Sequence, residues 1–138
     1  MASGEVVQIE AYPKAPLEVV WDGSGNTISR AIDTEGYNLV GVLMPDSWQG
    51  GTPIKFLVAE KGEAETAWPP SPSEQAVPRY RPLKDAAGAD VTVTVAAGTF
   101  VALSALTALR GMRYIKMVAN VGPAAKQSVW ATRVQYVQ

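Results

Sequence analysis

Turn-forming residues arrive too often in this sequence for it to be helical. Twelve glycines and ten prolines fall within 138 residues. Apolar runs of strand length alternate with clusters of Gly, Pro, Asp, Asn and Ser roughly every 8–12 residues. No stretch carries a convincing 3.6-residue apolar period. The clearest element is "DVTVTVAAG", where Val91, Val93 and Val95 fall on one face and Thr92 and Thr94 on the other. Strict alternation of β-branched residues fits a pleated strand. About eight such segments predict an all-β chain, an antiparallel β-sandwich or a barrel.

The first 20 residues read as an extended N-terminal arm, because Pro13 and Pro16 break any regular helix. Residues 21–138 read as one sandwich domain. It opens with the turn cluster "WDGSGN". "TISRAI" follows as a strand, and "NLVGVLM" as a strand buried on both faces or nearly so. "IKFLVAE" sets Ile54, Phe56 and Val58 on one face. The Pro-rich loop at 61–78, "KGEAETAWPPSPSEQAVP", is the longest break, and a loop of that kind is usually functional. "RYRPLKD" resumes as an edge strand, since Pro82 has no ladder donor. "TFVALS" continues as a strand, and "ALTALRG" reads as a short turn packing Leu106 and Leu109 on the sheet. In "MRYIKMVAN", Ile115 and Met117 share a face with Arg113, and Tyr114, Lys116 and Val118 share the other. "SVWATRVQYV" closes the chain with Trp130, Thr132, Val134 and Tyr136 on one face, Trp130 being assigned to the core.

Twelve Lys and Arg nearly balance thirteen Asp and Glu, leaving a formal charge of −1. Without a basic surplus to neutralise phosphates, no nucleic-acid partner is expected. No apolar run is long enough to span a membrane, so no membrane partner is expected. The start "MASGEVVQIEAYPK" has no basic segment followed by an apolar one and does not read as a secretory signal. Cysteine is absent, which removes disulfide and thiol chemistry. Histidine is absent as well, and with it the commonest general base and metal ligand.

No other constellation restores an enzymatic reading. Asp22, Ser24, Asn26 and Asp33 space oxygen ligands as a calcium loop does. However, Thr27 stands where the sharp turn wants Gly, and a Gly-rich β-turn is the better fit. Glu60, Glu63 and Glu65 lie in or beside a polar loop, where nothing would shift a carboxyl pKa. Ser24 lacks both the spacing of a nucleophile elbow and a base to activate it. No catalytic residue, metal or cofactor is therefore expected.

What remains are residues suited to contact. Trp48 and Trp68 stand in Gly- and Pro-rich loops, where a Trp either anchors a partner or packs the loop itself. Pro69 and Pro70 stiffen the loop around Trp68 and lower the entropy cost of docking. Trp21, beside the first turn, reads as a staple between arm and body. Tyr12 and Pro13 in the arm, Tyr80 after the long loop, and Arg113 complete the candidate interface set.

The segment "LRGMRYIKMVANVGPAAKQSVWATRVQYV" resembles the C-terminal part of small virion proteins of tailed phages. In those proteins a Val/Thr strand and an apolar strand precede it, as "VTVTVAAGTFVALS" does here. The resemblance covers roughly the last fifty residues. It implies a jelly-roll sandwich on the outer surface of the capsid, acting as cement or decoration. The implied partners are the major capsid protein and copies of the chain itself, as dimer or trimer. The implied location is the virion, after assembly in the host cytoplasm. "RYIK" is also similar to a strand of discoidin-type domains, jelly rolls that bind sugars or lipids. Those often join their ends by a disulfide, which this chain lacks.

The expectation is a non-enzymatic capsid decoration protein that stabilises a phage head by bridging subunits. A carbohydrate-binding sandwich on a fibre or secreted protein is the alternative. Attachment would come from burial, at about 25 cal/mol per Å² before association costs. An arm of about 20 residues reaches about 60 Å. Removing residues 1–16 is accordingly expected to weaken attachment and leave the melting transition nearly unchanged.

Overall fold

The computed structural model describes residues 10–59, 80–103, 109 and 112–137. These form nine strands: β1 (Glu10–Trp21), β2 (Ile32–Asp33), β3 (Asn38–Leu43), β4 (Ile54–Ala59), β5 (Arg81–Pro82), β6 (Thr92–Val93), β7 (Phe100–Ala102), β8 (Tyr114–Val118) and β9 (Gln127–Val137). Every pairing is antiparallel. A four-stranded sheet runs β1-β9-β3-β7. A second, five-stranded sheet runs β2-β8-β4-β5, with β6 also paired to β4. The all-β sandwich expected from the turn spacing is the architecture found.

The pairing is nested. β1 pairs with β9, β2 with β8, β3 with β7 and β4 with β5. Two further pairings, β3 with β9 and β4 with β8, close the two sheets. Successive strands β1 to β4 alternate between the sheets, so each connection crosses the sandwich.

Both sheets contribute to one core. Val19, Trp21, Leu39, Val42, Val129 and Ala131 come from the four-stranded sheet; Ile32, Ile54, Phe56, Ile115 and Met117 come from the other. On β8 the burial alternates, with Ile115 and Met117 inside, as the period-two pattern predicts. Val95 is buried while Thr92 and Thr94 are exposed, although only Thr92–Val93 pairs as strand. Leu109 packs into the core as expected, and Leu106 lies outside the described residues.

The turn after β1 is a case where glycine is required. Gly23 has φ 93°, and a Cβ there would press on Ala124 O and Lys126 N at 3.1 Å. The close approach lets Ser24 N donate to Ala124 O and Gly25 N to Pro123 O, docking this turn on the "GPAA" turn before β9.

Several expectations are corrected. The arm over residues 1–20 is strand β1 from Glu10 onward, paired along its length with β9. Pro13 and Pro16 are tolerated because β1 is an edge strand, and its register shifts between Lys14 and Leu17 around Pro16. "TISRAI" pairs as a strand only at its end, as β2, with an isolated bridge at Ile28. "NLVGVLM" is not buried on both faces throughout, since Leu43 is exposed. Trp130 is not a core residue: Val129, Ala131 and Arg133 are the buried phase of β9. The Pro-rich loop at 61–78 lies outside the described residues.

Candidate functional site

Among the described residues, the outer face of the four-stranded sheet carries the most conspicuous exposed apolar surface. In register, Trp130 of β9 lies opposite Leu43 of β3, and Leu43 lies opposite Phe100 of β7. Directly opposed residues in adjacent strands point to the same side of the sheet. The three side chains therefore form one row across the strands, and they are 43%, 49% and 56% exposed. Such fractions matter because large apolar side chains that cluster on a surface mark contact sites, whereas scattered ones do not.

Backbone pairing explains why these three face outward. Val129 lies opposite Val19, and Ala131 lies opposite both Leu17 and Val42. All of these belong to or pack against the core, so Trp130, between Val129 and Ala131, must take the other face. Leu43 follows Val42 outward by the same alternation, and Val101 opposite Val42 sends Phe100 out.

The neighbouring positions on this face are small. Thr132 lies opposite Gly41, and Gly41 opposite Ala102. The Phe100 ring leans across Gly41 so closely that a Cβ there would collide with it. The Thr132 hydroxyl donates to Gly41 O at 3.2 Å. At one end of the row Glu18 pairs opposite Trp130, and its carboxylate accepts from Ser128 Oγ at 2.7 Å. The result is an aromatic–aliphatic–aromatic ridge beside a floor of small residues, with one carboxylate at its β1 end.

The residues singled out from sequence are dispersed. Trp21 is fully buried, so its candidacy for an interface is corrected: it is a core residue whose Nε1 donates to Thr27 O at 2.9 Å. Trp48 turns inward, edge-on to Trp21 with ring centroids 5.0 Å apart, and donates Nε1 to Gly51 O at 2.8 Å. It packs its own loop onto the core. Tyr12 and Pro13 sit in β1 opposite Gln135 and Val134. Tyr80 precedes β5, and its ring lies 4.4 Å from Lys116 Nζ. Trp68, Pro69 and Pro70 lie outside the described residues.

Arg113 is exposed and grips Asp33 with two bonds, Nε to Oδ1 at 3.0 Å and Nη2 to Oδ2 at 3.2 Å. That hydrogen bonding holds the Asp33 carboxyl below the usual carboxylate range. The pair ties β2 to β8. Two further oxygens of the calcium-like pattern are likewise engaged: Asp22 pairs with Arg30 at 2.6 Å, and Asn26 Oδ1 accepts from Ile28 N. Among the described residues no three metal-ligating side chains converge.

The row itself was missed in the sequence. Leu43 and Phe100 fall in segments read as strands, but nothing local says that they meet. The usable signal was in β9, where "VWATRV" offers apolar residues in both phases. The phase of Trp130, Thr132, Val134 and Tyr136 was assigned to the core, and pairing with β1 and β3 gives that place to Val129 and Ala131 instead. Compared with known protein families, with curated proteins and with solved structures, the chain matches none.

Proposed function

We propose that this is a non-enzymatic structural protein of a phage virion, a jelly-roll decoration protein that stabilises the head by bridging capsid subunits. The nested winding, first strand with last and second with last but one, supports the jelly-roll reading. The observation that carries the function is the Trp130–Leu43–Phe100 row. A sheet face that exposes two rings and a leucine in one row is built to be covered, and covering it makes or breaks no bond. The work of such a protein is burial, and two-sided burial is what holds neighbouring subunits together.

The test is co-sedimentation with undecorated heads of the virus that encodes the chain. Saturable binding, and a higher temperature of head disruption, are expected. Heads that neither bind the protein nor gain stability would sink the reading. A carbohydrate-binding sandwich is the second reading, favoured by the placing of Trp130 beside the Glu18 carboxylate and the Ser128 hydroxyl. Glycan-array binding abolished by Trp130→Ala, with no binding to heads, would establish that one instead.

A further inference from the structure

We propose that the Trp130–Leu43–Phe100 row is covered by a second copy of the same chain, around a two-fold axis that runs along the strands through Leu43. The proposal rests on the decoration reading in one respect: the row serves bridging by joining two copies, and the shell is met by other surfaces of the pair. A bridging protein needs two equivalent shell-facing surfaces, and a two-fold pair supplies them.

The row is suited to an isologous contact, in which one patch must complement itself. It reads ring, aliphatic, ring, the same from either end. A two-fold along the strands lays Leu43 on Leu43 of the second copy and brings the position of each Trp130 over that of a Phe100, whose ring leans toward Gly41. The two sheets then stack with aligned strands, the commonest way for sheets to pack face to face, about 10 Å apart.

Charge selects this axis over its rival. A two-fold lying along the row would bring both Glu18 carboxylates to the same end of the contact, where like charges oppose. The axis along the strands sends them to opposite ends. With strands about 4.8 Å apart, Glu18 lies two strands from the axis through Leu43. Its counterpart is then about 19 Å away, roughly two Debye lengths in physiological salt. The net charge of −1 adds little long-range repulsion between copies.

Area sets the strength. Roughly half of each of three large side chains exposes about 300 Å², whereas a standard stable interface buries about 800 Å² on each partner. The pair is therefore concentration-dependent and reversible, reinforced where copies are held side by side.

Sedimentation velocity from roughly 10 μM to 1 mM reads this directly. The full chain is expected to shift from monomer toward dimer across that range. Leu43→Glu and Leu43→Lys should each remain monomeric, because position 43 meets itself and either variant opposes like charges. Mixed in equal amounts, the two should form a dimer again. Thermal melting of each variant near that of the full chain checks folding, which an exposed position permits. Phe100→Ser gives a second, uncharged disruption and should also lower the dimer fraction.

A full chain monomeric throughout, a dimer that survives Leu43→Glu, or a Glu/Lys mixture that stays monomeric would each overturn the proposal. Its failure is separable from failure of the decoration reading. A monomeric chain that still binds heads removes the pair alone, and a dimer that ignores heads removes the decoration alone.

Discussion

Arg133 shows how one residue can hold a corner of the sandwich. It is a buried cation on the inner face of β9, 8% exposed. Its Nε donates to Ala15 O at 3.1 Å, beside the bulge that Pro16 forces in β1. Its Nη1 donates to Thr34 O at 3.2 Å and to Glu35 Oε1 at 2.9 Å. Tyr37 lies beneath the guanidinium at 5.5 Å. A bulge leaves a carbonyl without its ladder donor, and the side chain supplies one. Glu35 is largely exposed, so water screens the ion pair and it contributes at most about 1 kcal/mol. The bonds to main-chain oxygens are the larger share. Arg133→Met is expected to lower unfolding stability by about 2–3 kcal/mol in urea titration, and Glu35→Gln by less than about 1 kcal/mol. Equal losses in the two variants would show that the ion pair, not the carbonyl contacts, dominates.

At the scale of elements, β1 changes what a truncation means. Residues 1–20 were expected to form an extended arm, from which 1–16 could be removed with the melting transition nearly unchanged. Glu10 to Lys14 instead pair with Val137 to Arg133. Deleting residues 1–16 would strip those pairs, remove Ala15 from Arg133 and leave that half of β9 with an open edge. The melting temperature of that deletion is expected to fall by several degrees, equivalent to about 2 kcal/mol or more. Deleting residues 1–9 alone leaves every described β1 pair in place and is the reference against which the longer deletion is read. Indistinguishable melting curves for the two deletions would mean that the first half of β1 adds nothing to the fold. β8 and β9 illustrate which elements the sequence exposes. In β8 the alternation groups Ile115 and Met117 apart from Tyr114, Lys116 and Val118, and burial makes the first group the inner face. β9 has apolar residues in both phases, and only its neighbours β1 and β3 decide between them.

At the scale of the molecule, the nested pairing brings the first and last described strands side by side. β1 and β9 are separated by more than one hundred positions and make the longest ladder among the described residues. Non-local pairing of this kind slows folding, because the entropy of closing large loops opposes it until the contacts form. Refolding from urea, followed by fluorescence of the buried Trp21 and its neighbours, is expected to take milliseconds to seconds rather than microseconds. A microsecond phase carrying the full fluorescence change would contradict it.

The sequence by itself determined the class of the fold and most of its strands. The reason is local: Gly and Pro forbid long helices, and a two-residue apolar alternation needs no knowledge of distant residues. It also separated the two faces of a strand, as in "YIKMV", where Ile115 and Met117 fall in one phase. The tertiary structure decided the rest. That β1 belongs to the body, that β9 turns Trp130 outward, and that Leu43 and Phe100 stand beside it all follow from which strands lie next to which. Strand register is a property of pairs far apart in the chain, and a shift of one residue exchanges inside for outside. A surface assembled from β3, β7 and β9 exists only after those strands have met.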